Sequence, residues 1–169
     1  MHPSAMQAAK DFYAKFSGEF VEPTIVEIGS QNVNGSIREV APPSKYVGLD
    51  FQEAKGVDIV LQDAYSFPLP DNYADIVVTS SCFEHSEMFW LTFLEGVRIL
   101  KPRGLFYINA PSTGRYHAYP VDCWRFYPDA DKALKTWAKH NGYNVNVEYK
   151  TTMEGPWGDF VVVYRKNAN

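Results

Sequence analysis

Five short, mainly apolar runs fall within the first 110 positions, and each gives way at its C-terminal end to glycine, proline or polar residues. They are Thr24–Ile28, Lys45–Leu49, Val57–Leu61, Ala74–Thr79 and Leu105–Ala110. Runs of this length suit strands buried on both faces, the signature of a parallel sheet covered by helices. Helical spacing appears between and around them. Ala9, Phe12, Tyr13 and Phe16 recur at one-face intervals before Gly18, and Trp90, Phe93, Leu94 and Val97 do so before Lys101-Pro102-Arg103-Gly104. Pro128 opens a third helical pattern, with Ala130, Ala133, Leu134, Trp137 and Ala138 on one face and Asn141-Gly142 as its stop.

Two features modify this plan. Ser36-Ile-Arg-Glu39 has capping-box spacing, but Pro42 and Pro43 leave room for little more than one turn, so the first crossover is short. At the other end, Tyr143–Tyr149 alternates apolar with polar residues and Phe160–Tyr164 is continuously apolar. The turn Gly155-Pro156-Trp157-Gly158 separates them too closely for a crossover helix, which predicts an antiparallel hairpin. The expectation is an α/β chain with a single domain over 1–169: an N-terminal helix at 1–18, a cofactor-binding half at 24–110, a substrate loop at 111–128, and a helix with the terminal hairpin at 129–169.

Composition narrows the function classes. Of 169 residues 46% are apolar and 15% aromatic, so the chain can bury a core. The net charge of −4 comes without a dense basic run, which argues against nucleic acid as a partner. No apolar stretch approaches the roughly 18 residues that span a bilayer, so no membrane association is expected and the setting reads as cytoplasmic. Cys82 and Cys123 are too few for a disulfide framework and read as reduced thiols. No pair of His, Asp or Glu residues has a recognisable local ligand spacing, so no metal is expected.

In an open α/β sheet, ligands collect beyond the C-terminal ends of the strands. Glu27-Ile-Gly29-Ser-Gln-Asn-Val-Asn-Gly35 follows the first run, Asp50 ends the second, and Asp63 follows the third. Gly29 lets the backbone approach a ligand closely. Asp50 suits the two hydroxyls of a ribose, and Asp63 an exocyclic amine. A dinucleotide fingerprint would need glycines where Gln31 and Asn34 stand, which disfavours nicotinamide-dependent oxidoreduction.

Taken in order, Val-Glu27-Ile-Gly29, Tyr-Val-Gly-Leu-Asp50, Gln-Asp63-Ala64, Cys-Phe-Glu84-His85 and Arg-Ile-Leu-Lys-Pro-Arg-Gly-Leu resemble the class I S-adenosylmethionine-dependent methyltransferases. The likeness is greatest to the small-molecule, type 11-like branch. It runs from about Thr24 to Tyr164, and the segment His-Ala-Tyr-Pro-Val-Asp-Cys-Trp-Arg-Phe-Tyr-Pro at 117–128 resembles the loop before the last helix in part of that branch. Gln31 stands where the family usually has a second glycine, and Arg103 replaces the first glycine of its Pro-Gly-Gly turn.

The resemblance implies a Rossmann-like three-layer sandwich around a mostly parallel seven-stranded sheet, order 3-2-1-4-5-7-6, with an antiparallel C-terminal strand. It implies S-adenosyl-L-methionine as cofactor, with Glu27, Gly29, Ser30 and Gly35 at the methionine end. Asp50 would hold the ribose, Phe51, Asp63 and Ala64 the adenine, and Ser80 and Ser81 would lie near the sulfonium.

Methyl transfer from a sulfonium is a direct displacement, in which positioning does much of the work. His85 and His117 are the candidate catalytic residues if a hydroxyl must lose its proton. Glu84, Tyr116, Tyr119, Asp122 and Arg125 are the candidate substrate contacts, with packing and a local ion pair as their structural alternatives. His2 and His140 read as surface residues. Ser80-Ser-Cys-Phe stands where methyltransferases of nucleobase amino groups carry an Asn/Asp-Pro-Pro-Tyr motif. The acceptor expected is therefore the oxygen, less readily the nitrogen, of a small metabolite, sugar or lipid-linked intermediate, handled by a monomer or homodimer. A noncatalytic protein that binds the cofactor is the alternative.

Overall fold

The computed structural model describes residues 2–168. Seven strands form one sheet: β1 (Thr24–Ile28), β2 (Lys45–Asp50), β3 (Ile59–Val60), β4 (Ala74–Ser80), β5 (Leu100–Pro111), β6 (Val145–Thr152) and β7 (Asp159–Lys166). Their order is β3-β2-β1-β4-β5-β7-β6, as the resemblance implied. The first five are mutually parallel, and β7 runs antiparallel to both β5 and β6. Three helices cover the sheet: α1 (Pro3–Phe16), α2 (Phe89–Ile99) and α3 (Ala130–His140).

The two faces follow from the alternation of side chains along each strand. Ile25, Ile76, Val78, Leu105, Tyr107, Val161 and Val163 point to one side, where they pack with Ala9, Phe12, Tyr13 and Phe16 of α1. Val26, Val77, Phe106, Ile108, Val162 and Tyr164 point to the other, against Phe93 and Val97 of α2 and Leu134 and Ala138 of α3. Phe12 meets Tyr107 at a ring separation of 4.7 Å, and Phe93 stacks on Phe106 at 5.6 Å. Each central strand is thus covered twice, which explains the lack of a polar face in the sequence.

Helices alternate with strands less regularly than the pattern suggested. The β1–β2 connection holds one 3-10 turn, Ile37–Val40, with Ser36 Oγ accepting the Arg38 N–H at 3.2 Å. No helix joins β2 to β3 or β3 to β4 among the described residues. The β3–β4 connection is held by Arg98 of α2, which donates to the carbonyls of Phe67 (3.0 Å) and Leu69 (2.9 Å) while paired with Glu95 and Asp71. The third run shrinks to two residues because only Leu49 and Asp50 of β2 reach it.

The turn read between α2 and β5 is part of the strand. Leu100 already pairs with Ala74, the register shifts, and Leu105 resumes opposite Ile76. Arg103 takes the left-handed conformation there (φ 68°) that a glycine would adopt without strain.

Candidate active site

Reversal of the strand order between β1 and β4 leaves a crevice beyond their C-terminal ends. A cavity of about 830 Å³ occupies it, and Glu27, Gly29, Ser30, Gly35, Asp50, Phe51, Ala64, Ser80, Ser81, His85, His117 and Tyr119 all line it. Most of the residues singled out from sequence are therefore brought together, from four strand ends and two loops.

Gly29 sits at the tightest point. Its φ is 76°, and a Cβ there would lie 2.6 Å from both Cβ and Sγ of Cys82. The following turn is pinned to the end of β2: Gly29 and Ser30 donate their N–H groups to the Leu49 carbonyl at 2.9 and 3.1 Å. Gln31 donates its main-chain N–H to Asp50 Oδ2 at 3.1 Å. Asp50 Oδ1 accepts from the Phe51 N–H at 2.8 Å, so both carboxylate oxygens are oriented before any ligand arrives. Burial raises the Asp50 carboxyl above its ordinary range even against these donors. Phe51 leaves a 54% exposed ring at the cavity wall.

Glu27 lies on β1 beneath the loop, buried and accepting the Tyr46 hydroxyl at 2.8 Å on Oε2. Burial pushes its carboxyl up to about 7, while the Tyr46 hydroxyl pulls the other way. At the end of β4, Ser81 holds φ 52°, a conformation that non-glycine residues adopt at some cost. Burial likewise raises the Cys82 thiol to about 12, so it is a packed thiol and not a thiolate.

The opposite end is built by the turn after β4 and by the loop 111–128. That loop is tied down by the Cys123 N–H on the Glu84 carbonyl (2.7 Å), Trp124 Nε1 on the Ser86 carbonyl (3.0 Å) and the Phe126 N–H on the Pro111 carbonyl (2.9 Å). His85 Nδ1 donates to the Val121 carbonyl at 2.6 Å, and its ring meets that of His117 edge to face at 4.9 Å. Burial lowers the His85 pKa, so the neutral ring presents Nε2 as an acceptor. Glu84 is 1% exposed and burial pushes it up to about 8; its Oε1 lies 3.7 Å from His85 Nε2. Glu84, His85 and His117 form the one group of three closely set metal-ligating side chains among the described residues. Local spacing in sequence gave no sign of it.

Four named residues are not brought to the cavity wall. Asp63 turns back on its own chain and accepts the Tyr65 N–H at 2.8 Å; Ala64 and Tyr65 line the wall instead. Tyr116 is 77% exposed and does not belong to the lining set. Asp122 and Arg125 pair through two hydrogen bonds of 2.6 and 2.8 Å, and Asp122 Oδ2 accepts the His117 N–H at 2.7 Å. They buttress the loop behind His117. This was the local-ion-pair alternative.

Sequence reasoning missed His2 and Trp157. His2, read as a surface residue, lines the cavity next to Trp157, with Ser4 and Asp159 around its ring. Trp157 and Asp159 lie more than 150 residues away in the chain, so no local pattern could have shown their meeting with His2.

Residues 30–108 match the model of a family described as a methyltransferase domain. No curated protein matches the sequence closely enough to count as a relative. Among solved structures, the chain resembles a Burkholderia thailandensis 1,6-didemethyltoxoflavin N1-methyltransferase, bound to that compound and S-adenosylhomocysteine. The TM-score is 0.71 and the identity 14%, over 97% of this chain and 79% of that one. It also resembles a Haloferax volcanii methyltransferase solved with the Trm112 activator (TM-score 0.62, 14% identity, 98% and 95% of the two chains). A third is a SAM-dependent methyltransferase from Archaeoglobus fulgidus (0.68, 17%, 95% and 94%).

Proposed function

We propose that the chain, of which residues 30–108 match a methyltransferase domain, is an S-adenosylmethionine-dependent methyltransferase that moves a methyl group to an oxygen, less readily a nitrogen, of a small molecule. The observation that carries this reading is one continuous cavity with buried carboxylates at one end and two imidazoles at the other. Its volume of about 830 Å³ falls in the upper part of the range of small-molecule sites, about 300–1,000 Å³, enough for a cofactor and a compact acceptor.

In this reading Glu27 takes the methionine ammonium, and the Gly29–Gly35 turn passes close to the methionine carboxylate through main-chain N–H groups. Asp50 accepts the ribose hydroxyls with the two oxygens that Gln31 and Phe51 already orient. Phe51 and Ala64 flank the adenine. Ser80 and Ser81 bring the methyl donor to the middle of the cavity. His85, His117 and Tyr119 face the acceptor, with Asp122 and Arg125 holding His117 in place.

Transfer then forms a carbon–oxygen bond as the sulfur–methyl bond breaks; the electron pair stays on sulfur, and the hydroxyl proton leaves to solvent water. The protein contributes in-line placement and exclusion of water. The reading carries with it a single domain, a small-molecule acceptor, no nucleic-acid partner and a cytoplasmic setting; no helix among the described residues is long and apolar enough to cross a membrane.

The test is transfer of labelled methyl from S-adenosylmethionine to a panel of small hydroxyl and amino compounds. Turnover confined to one hydroxylated class supports the reading. Methylation of RNA or DNA in its place would overturn the acceptor assignment.

A further inference from the structure

At the acceptor end, a buried carboxylate oxygen without a partner stands beside two imidazoles whose outer nitrogens are already engaged. Glu84 Oε2 has no hydrogen-bond partner, a rare condition for a group 1% exposed. His85 carries its proton on Nδ1, because the Val121 carbonyl it meets at 2.6 Å can only accept, and this leaves Nε2 with a free lone pair 3.7 Å from Glu84 Oε1. His117 repeats the arrangement. Its Nδ1 donates to the Arg115 carbonyl at 3.0 Å, with Asp122 Oδ2 3.2 Å away, so its Nε2 is the free acceptor.

A carbonyl or carboxylate that accepts from one ring nitrogen, fixing the tautomer and turning the other nitrogen inward, is the usual setting of a metal-binding histidine. One ligand atom from each of Glu84, His85 and His117 lies within 4.8 Å of the others. Bonds of about 2.0–2.1 Å set ligand atoms about 3.4 Å apart around a tetrahedral ion. The three atoms are spread wider than that and must draw together around an ion; His117, on the loop, is the more exposed of the two rings.

We propose that Glu84, His85 and His117 bind a divalent first-row transition-metal ion at the acceptor end of the cavity. Two imidazoles and one carboxylate select zinc, manganese, iron(II) or cobalt, since magnesium and calcium favour oxygen-only sets. The ion would give the buried Glu84 oxygen the partner that no protein group supplies. Three protein ligands leave positions open, and these face the cavity that all three residues line.

The ion's role rests on the methyltransferase reading. An acceptor hydroxyl binds at an open position, where the ion lowers its pKa and its proton passes to solvent water. The bound oxygen then forms the bond to the methyl carbon as the sulfur–carbon bond breaks. The sulfonium becomes a neutral thioether, and one proton is released per methyl transferred. Asp122, Arg125 and Val121 act as positioning residues, through the two rings they orient.

The experiment is a titration of chelator-treated full-length protein with Co²⁺, read by visible d–d absorption. S-adenosylhomocysteine binding is measured on the same samples by thermal shift. Wild type is expected to saturate at one equivalent. Glu84→Gln and His85→Asn are expected to weaken Co²⁺ binding at least tenfold, with the S-adenosylhomocysteine shift retained. Glu84 is buried and its variant can fail to fold, so His117→Asn, on the loop, carries the same expectation independently. Absence of a saturable spectrum, or a spectrum that survives in all three variants, overturns the metal site. Loss of S-adenosylhomocysteine binding with Co²⁺ binding intact would instead overturn the methyltransferase reading.

Discussion

Tyr46 donates its hydroxyl to Glu27 Oε2 at 2.8 Å from the neighbouring strand, a neutral donor meeting a carboxyl buried at the base of the cavity. Burial outweighs this bond and pushes Glu27 up to about 7 from an ordinary value of 4.5. A carboxyl whose folded-state pKa is raised makes its full contribution to stability below its unfolded value. That contribution is lost as pH climbs through the folded value. Glu27 therefore lowers stability increasingly between about pH 4.5 and 7, by a few kcal/mol at most.

The first prediction follows from this sign. Glu27→Gln should unfold at a higher temperature than wild type at pH 8, with the advantage vanishing at pH 5. The same variant should bind S-adenosylmethionine more weakly, and wild-type affinity should rise as pH passes through about 7 and Glu27 ionises. Paired melting curves at the two pH values and calorimetric titrations across the interval check both parts. A variant no more stable at pH 8 than at pH 5, relative to wild type, contradicts the burial argument.

Asp50 is the second. Its oxygens are held by the Gln31 and Phe51 N–H groups and face the cavity, so Asp50→Ala removes charge-assisted bonds to a ribose. Such bonds contribute about 1.5–3 kcal/mol, which predicts a loss of cofactor affinity of roughly ten- to more than a hundredfold in a protein that stays folded. Unchanged affinity would remove Asp50 from the cofactor site.

Gly29 tests close approach. Gly29→Ala meets two costs: a collision with Cys82 and a positive φ, which costs about 1–2 kcal/mol in an L-residue. The double variant Gly29→Ala/Cys82→Gly relieves only the collision. Denaturant unfolding should show it recovering part of the stability lost by Gly29→Ala alone, and full recovery would mean the backbone conformation is not constrained.

Asp122 separates support from contact. It lies outside the cavity lining but holds His117 and Arg125. Asp122→Asn should lower kcat with little change in S-adenosylmethionine affinity, and the acceptor KM should move less than kcat. A rise in acceptor KM alone, with kcat intact, would return Asp122 to the role of a substrate contact.

The sheet was legible because its physics is local. Ile25, Val26, Val77 and Phe106 sit in runs whose length and composition already demand two covered faces. Where a run depended on a partner it was misjudged: the stretch at 57–61 keeps only Ile59 and Val60 as strand, because β2 offers it only Leu49 and Asp50. That Glu27, Gly29 and Asp50 share a cavity was legible for a similar reason, since strand ends bring them together automatically. The acceptor end was not. Its walls come largely from the turn after β4 and the loop 111–128, and they are set by contacts distant in sequence, such as His85 to Val121, 36 residues away. Asp122 and Arg125, named as candidate substrate contacts, are paired with each other and stand outside the cavity wall.

Thermal unfolding with and without S-adenosylhomocysteine tests the central claim most directly. At about 100 times its dissociation constant a ligand that binds only the folded state adds roughly 2.7 kcal/mol, which for a chain of this size raises the midpoint by about 5–10 °C. The account predicts that rise with S-adenosylhomocysteine and S-adenosylmethionine, none with NAD, and its loss in Asp50→Ala. An unchanged midpoint with both sulfur compounds, or an equal rise with NAD, would contradict it.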